Sequence, residues 1–437
     1  MNTQNKQNTA QNLTQDLQGL QQDSRRAFMK TSAKVAGIAG LSALAGLSLS
    51  ACNDNKSSDK GDKSTGTSED SSANSTKGGS MQSHTQTYAN ITKPTPHITR
   101  TQDGVNFIKV GHTDIEISQI CIGAMSFGKA GTLHDWTLNE SDSEAIIKHA
   151  LDKGINFFDT ANIYSAGTSE EYLGKALKKH AKREDVVISS KVYFNKGVLS
   201  REAILREIDG TLKRLSTDYL DIYIIHRFDY TTAIEETMQA LHDIVKAGKV
   251  RALGASAMFG YQFANMQQVA RDNNLTPFSI MQNHYNLLYR EDERELIPIC
   301  AQQGVTLMPY SPLASGRLAR AEWKSDTLRA QTDKTAASKY DKTQAQDKII
   351  AGRVNELAKQ KSVSMSEIAL SWLLSKGAGS PIIGANKTKY IDEAVGAMNV
   401  KLSQKEIAYL QEAYIPHEIV GANTEEQARE SLKSLVK

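Results

Sequence analysis

The sequence predicts an α/β fold, a closed (β/α)8 TIM barrel behind an N-terminal hairpin, with extra helices at its C-terminal end. Three observations point there. Short β-branched runs alternate with amphipathic helical stretches from Phe107 onward, as in a parallel sheet covered by helices. Eight such runs fit between Ile117 and Ile383, which favours a barrel over an open sheet. The Gly-x-Gly-x-x-Gly fingerprint of an open dinucleotide-binding sheet is absent beyond Cys52.

The hairpin is Val105–Val110, a turn at Gly111-His112-Thr113-Asp114, and Ile115–Ser118. The eight strands are Ile117–Ile122, Asn156–Asp159, Val186–Ser189, Leu220–Ile225, Val250–Gly254, Ser279–Asn283, Thr306–Tyr310 and Pro381–Ile383. Helical patterns between them include Asp142–Lys153, Arg201–Leu215, Thr232–Ala247 and Gln262–Asp272, with Ser200 and Ser364 placed as N-caps. Leu313–Gln346 is a long polar insertion after the seventh strand, of the kind that caps a site. Helical stretches near Gln404–Ala413 and Glu425–Leu435 extend past the eighth unit.

Three segments organise the chain: a leader at 1–51, a tether at 52–100 and the barrel at 101–437. From Asn53 to about Asn90 the chain is Ser, Asp, Lys, Gly and Thr with almost nothing apolar, too little to offset the entropy of ordering it. The whole sequence carries 52 Lys+Arg and 49 Asp+Glu; setting aside the five basic and two acidic residues of 1–51 leaves 47 of each. With no basic stripe and no interleaved aromatics, nucleic acid is not an expected partner. Cys121 and Cys300 both sit in apolar segments and read as buried free thiols. The ten His show no paired metal-ligand spacing.

Catalytic groups of barrels come from the C-terminal ends of several strands. Those ends carry, in order, Asp159 and Tyr164, then Lys191, then His226. Taken singly, each has a bland reading: a cap, a pocket wall, a surface charge, a core histidine. All four at successive strand ends resist it. Together they suit proton transfer. A phenol with a pKa of about 10 is a reluctant donor near neutrality, and an ammonium beside it lowers that value. Asp159 would hold Lys191 ionised.

Specific stretches carry a family resemblance: Phe157-Phe158-Asp159-Thr160-Ala161-Asn162-Ile163-Tyr164, Ser190-Lys191, Ile225-His226-Arg227, Gln282-Asn283-His284-Tyr285-Asn286, Tyr310-Ser311-Pro312-Leu313 and Ile383-Gly384-Ala385. With these the chain resembles the aldo-keto reductases from about Asn106 to Ala413, and within them the bacterial branch that also resembles potassium-channel β-subunits. The resemblance implies an NADP(H)-dependent reductase of aldehydes or ketones, with a cofactor-sensing regulatory subunit as the alternative. It makes Asp159, Tyr164, Lys191 and His226 the catalytic tetrad, Tyr164 being general acid in reduction. Tyr310 then stacks on the nicotinamide, Gln282 and Ser256 hold its carboxamide, and Ser311, Leu313 and Gly316 wrap the pyrophosphate. Gly384, Asn386 and Lys387 meet the adenosine 2′-phosphate, and Glu393 the adenine. Three positions depart from the family pattern: Ala257 where many members carry Asn, Tyr390 where many carry a basic or amide side chain, and Ala394 where many carry Asn. NADP(H) is favoured over NAD(H) through Lys387. Trp136, after the first strand, is a candidate pocket wall.

The leader carries a second resemblance. Ser24-Arg25-Arg26-Ala27-Phe28-Met29-Lys30 resembles a twin-arginine export signal, Val35–Leu49 supplies an apolar stretch too short to span a bilayer comfortably, and Leu49-Ser50-Ala51-Cys52 resembles a lipobox. This implies a partnership with the twin-arginine export machinery, which moves folded proteins, and acylation of Cys52, with cleavage after Ser50 and plain secretion as the alternative. Several acyl chains anchor stably where one is marginal. The expected location is the outer side of a bacterial membrane, periplasmic or cell-surface.

Overall fold

The computed structural model describes residues 94–132, 134–323 and 328–433. The export signal, Cys52 and the tether up to residue 93 lie outside them.

Chain order in the described residues begins with three short antiparallel strands, β1 (Ile98–Gln102), β2 (Val105–Lys109) and β3 (Glu116–Ser118). Strand β1 straddles the expected boundary between tether and barrel. All five of its residues are exposed, so no hydrophobic alternation betrayed it; Arg100 instead lies over the Phe107 ring and pairs with Glu116 at 2.6 Å. The expected hairpin is β2 and β3.

Eight parallel strands follow: β4 (Cys121–Gly123), β5 (Phe157–Asp159), β6 (Val187–Val192), β7 (Leu220–Ile225), β8 (Val250–Ser256), β9 (Phe278–Gln282), β10 (Thr306–Leu307) and β11 (Ile382–Ile383). Each pairs with its sequence neighbour, and β11 returns to β4. The last seam closes where the Ile382 N–H donates to the Pro309 carbonyl at 2.9 Å. The fold is a (β/α)8 barrel.

The first predicted strand needs correction. Ile117–Ile122 is not one strand: the Ser118 hydroxyl donates to the Ile120 carbonyl at 2.7 Å, and the chain bends at Gln119. Its first half belongs to the hairpin and its second half to the barrel. Strand ten also stops short of Tyr310, because the chain beyond Leu307 meets β9 through single bonds such as Tyr310 N–H to the Asn283 carbonyl, 2.8 Å.

The helices match their sequence patterns closely. In order they are α1 (Glu140–Asp152), α2 (Thr168–His180), α3 (Arg201–Leu215), α4 (Ile234–Lys246), α5 (Gly260–Asp272) and α6 (Leu296–Gln302). Two short helices, α7 (Leu328–Thr332) and α8 (Lys334–Tyr340), lie in the insertion. Then come α9 (Gln344–Lys361), α10 (Met365–Ser375), α11 (Thr388–Ala397), α12 (Gln404–Gln411) and α13 (Glu425–Lys433). Ser200 caps α3 by accepting from the Ala203 N–H, and Ser364 forms a reciprocal box with Glu367 on α10. Each cap is worth about 1 kcal/mol.

Two cores result. The larger lies between strands and helices; the smaller fills the barrel with Phe157, Val187, Ile222, Ile224, Ala252, Ile280 and Met308, plugged by Ile108, Val110, Ile115 and Ile117 of the hairpin. Alternation along a strand sends every second side chain inward. Counting on by two from these inward residues reaches Asp159, Ser189 and Lys191, His226, Ser256, Gln282 and Tyr310. The same pleat that packs an apolar plug below therefore lays down a polar layer at the opposite end. Cys121 and Cys300 are buried free thiols, as expected.

Candidate active site

That polar layer brings the predicted tetrad together. Lys191 is fully buried, and its ammonium donates to Asp159 Oδ2 at 2.5 Å, to the Thr160 carbonyl at 2.7 Å and to the Tyr164 hydroxyl at 3.3 Å. The other oxygen of Asp159 accepts from Ser189 Oγ at 2.7 Å and Gln282 Nε2 at 3.2 Å. Because a carboxylate only accepts, Gln282 must present its NH2 inward, which leaves its carbonyl oxygen free to take a hydrogen bond from a ligand. Tyr164 and His226 meet edge to face, ring centres 6.0 Å apart.

Charge states follow from the packing. Burial opposes the charge on Lys191, but Asp159 and the Tyr164 hydroxyl outweigh it and raise its pKa, so the ammonium persists. The Tyr164 phenol departs from expectation. Burial pushes its pKa up, Lys191 pulls it down, Asp159 pushes up again, and the net direction is upward. Lys191 acts with the predicted sign but does not win. The phenol therefore stays protonated, the form a proton donor needs. Burial, with Lys191 and Arg227 nearby, drives His226 well below its ordinary value. This neutral ring has a buried Nδ1 without a partner among the described residues. Since an orphaned buried N–H is the rarer burden, the proton belongs on Nε2.

The residues expected to meet the cofactor lie on neighbouring strand ends and loops. Tyr310 stacks on His284 at 5.1 Å, and His284 on Tyr289 at 4.1 Å. Ser256 is buried at the end of β8, beside Gln282 in the sheet register. Ser311, Ala314, Ser315 and Gly316 all hold positive φ. Leu313 lies within this winding segment, where the Ala314 and Gly316 N–H groups donate to the Ser311 and Leu313 carbonyls at 2.9 and 2.8 Å. Gly384, Asn386 and Lys387 are exposed, with Lys387 at the N-cap of α11; Glu393 is half-buried on that helix. Ala394 is fully buried in the core.

Trp136 stacks on His134 at 4.5 Å, and the Arg329 guanidinium lies 4.3 Å above its ring. Arg329 also approaches Gly384, so the insertion reaches from Trp136 to the segment after β11. Sequence reasoning missed several neighbours. Phe194, after β6, packs edge-on against His226 at 5.1 Å. Lys339 of α8 lies 4.6 Å from the Tyr310 ring centre, its pKa lowered to about 8 by burial and by Arg227. Gly421 sits against the Tyr310 hydroxyl. Only Arg227 had a signal, as the residue beside His226.

Comparison with known proteins supplies the family. Residues 119–415 match the aldo/keto reductase family. The chain belongs to that family. It is 41% identical over 340 residues to versiconal hemiacetal acetate reductase of Aspergillus parasiticus, covering 72% of this chain and 98% of that one. A putative aryl-alcohol dehydrogenase of Schizosaccharomyces pombe is 41% identical over 343 residues, covering 71% and 96%. Among solved structures, a thermostable aldo-keto reductase in complex with the inhibitor epalrestat superposes with a TM-score of 0.57 at 29% identity, over 70% of this chain and 99% of that chain. These fungal relatives lend no support to the expected kinship with channel β-subunits, nor to a regulatory-subunit role.

Proposed function

We propose that this aldo-keto reductase reduces aldehydes or ketones to alcohols with NADPH, using Tyr164 as the proton donor. The observation that carries the reading is the Lys191 ammonium, buried and shared between Asp159 and the Tyr164 hydroxyl. Bound NADPH supplies the hydride that adds to the carbonyl carbon. Tyr164 gives its phenolic proton to the carbonyl oxygen as negative charge develops there, and solvent returns a proton to the phenolate. Lys191 stabilises that phenolate, and the Nε2 proton of neutral His226 holds the carbonyl oxygen in line. Asp159, fixed by Ser189 and Gln282, keeps the ammonium in place. Exposed Lys387 offers the 2′-phosphate a point charge, and this favours NADPH over NADH.

The test is NADPH oxidation by residues 81–437 against methylglyoxal, nitrobenzaldehyde and a quinone, beside Tyr164→Phe. Turnover that falls by about 10²–10⁴ in the variant, with cofactor affinity kept, supports the assignment. Equal turnover in both proteins refutes Tyr164 as the donor, and NADPH binding without any turnover refutes the reductase. We propose further that the chain is exported by the twin-arginine route and anchored through an acylated Cys52; Cys52→Ser then abolishes palmitate labelling and releases the protein from membranes.

A further inference from the structure

We propose that His417, far outside the tetrad in sequence, is a positioning residue of this active site: as an imidazolium it fastens the segment Tyr414–Asn423 across the mouth of the barrel. The inference rests on the reading of that mouth as the cofactor and substrate site.

The protonation state comes from geometry. His417 Nε2 lies 3.1 Å from Asp347 Oδ1, and Nδ1 lies 2.8 Å from the Ile415 carbonyl. Neither acceptor carries a hydrogen, so each ring nitrogen must bring one. The ring is 4% exposed and the Asp347 side chain not at all. Thr343 Oγ1 holds the other Asp347 oxygen at 2.7 Å. On the facing side, Glu291 Oε1 accepts the His417 backbone N–H at 2.8 Å and the Tyr414 hydroxyl at 2.6 Å, while Arg294 holds Glu291 Oε2 at 2.9 Å. Tyr414 stacks on the imidazole at 5.3 Å, and Tyr289 meets it edge-on. His284, itself held well below its ordinary pKa by burial, is close enough to feel this charge. The ring is thus clamped between α9 and the turn Glu291–Glu293. Burial of the ring disfavours its charge, but the Asp347 and Ile415 bonds, with the charges of Asp347 and Glu291, outweigh it and raise its pKa.

From this anchor the segment crosses to the other side of the mouth. Val420 N–H donates to the Tyr289 hydroxyl at 3.1 Å. Gly421 then passes over Tyr310 with φ +107, and a Cβ there would fall 2.3 Å from the Tyr310 hydroxyl. Its carbonyl accepts from Arg227, whose guanidinium also donates to Asn423 Oδ1 at 3.1 Å, and the Asn423 carbonyl accepts from Tyr230 at 2.8 Å. One strap therefore touches the ring expected to stack on nicotinamide and the residue beside His226. A raised histidine pKa places the strap's full stability below the ordinary value of about 6.5 and loses it as pH climbs through the folded value.

The experiment compares the full-length protein with His417→Gln between pH 6 and 9.5. Glutamine keeps a donor for Asp347 but has no proton to lose. Hydrogen exchange of the 414–424 peptide, corrected for the intrinsic rate, reads the strap. NADPH titration and carbonyl KM read its effect. In the native chain, protection is expected to fall about tenfold with rising pH, the scale of one charge-assisted bond, while Kd and KM rise together. In the variant, protection is expected to be low and level, with Kd and KM already raised. The titration of Lys339 remains in both proteins, so only their difference reports on His417. Equal protection profiles overturn the latch; lost protection with unchanged Kd and KM overturns the positioning role. NADPH titration needs no turnover, so His417-dependent affinity without carbonyl reduction sinks the reductase reading and leaves the strap standing.

Discussion

Replacing Lys191 by Met, an uncharged chain of similar length, isolates what the buried ion pair contributes. Its ammonium makes three contacts and is sealed from solvent, while Asp159 is 2% exposed. Without Lys191, the carboxylate keeps only two neutral donors, Ser189 and Gln282. Removing one partner of a buried pair costs about 3–5 kcal/mol, because the other charge is left uncompensated. Replacing both by uncharged side chains of similar volume removes the orphan, so Asp159→Asn with Lys191→Met should regain most of that loss and fall within about 1 kcal/mol of the native protein. Denaturant unfolding followed by tryptophan fluorescence reads the stabilities, and carbonyl reduction reads activity in parallel. The single variant should be unstable and inactive, the double variant stable and still inactive. That combination would mean the pair serves proton transfer rather than folding. A double variant no more stable than the single one would refute the argument, since the penalty would then lie in lost packing and not in an unpaired charge.

Other outcomes follow from particular contacts. Gly421→Ala drives a methyl into the Tyr310 hydroxyl at a backbone angle that favours glycine; KM should rise while the global unfolding midpoint barely moves, as paired kinetics and denaturation would check. Lys387→Met should weaken NADPH by about tenfold, one ion pair's scale, and leave NADH unchanged in a binding titration. Asp221 is a buried carboxylate at the start of β7, held at 2.7 Å by both Arg183 and Arg251. Asp221→Ala should cost about 1–3 kcal/mol, since it takes the partner of the buried Ile188 N–H while both arginines stay partly solvated, yet leave kcat/KM of the folded fraction intact, since this end of the barrel is remote from the tetrad. Burial pushes the Asp292 carboxyl up to about 7, Asn283 opposing and Glu295 and Glu291 adding to it. A raised acid is destabilising once pH rises through that value, so Asp292→Asn should gain about 1–2 kcal/mol on the native chain between pH 5 and 9, allowing for partial solvation; unfolding at several pH values tests the sign.

What the sequence made legible, it made legible through period two. Phe157, Val187, Ile222, Ile280 and Met308 mark the inward face, and two residues on from that face lie Asp159, Ser189, Ile224, Gln282 and Tyr310. A short-range pattern thus located most of a long-range site. It failed where one dipeptide's chemistry overrode the pattern, as in the Ser118–Ile120 turn, and where nothing apolar was at stake, as in exposed β1. It also failed on the Tyr164 phenol. The neighbour Lys191 could be named from spacing, but the burial that outweighs it depends on the whole barrel closing.

The strap shows the remaining limit most sharply. Ile415-Pro416-His417-Glu418-Ile419-Val420-Gly421 has no periodicity and reads as an irregular tail. Its partners Glu291, Asp347 and Arg227 lie between 70 and 194 residues away along the chain. None of them advertises a partner locally: Asp347 sits in the first turn of α9, where an acid is favoured by the helix dipole in any case, and Glu291 falls in a run of charges. The protonated state of His417 is therefore a property of the assembled fold alone. For the same reason a substitution at Asp347, on a helix that contributes nothing to the tetrad, should reach the active site: Asp347→Asn leaves His417 a neutral partner, weakens the case for its second proton, and should reproduce the raised Kd of His417→Gln.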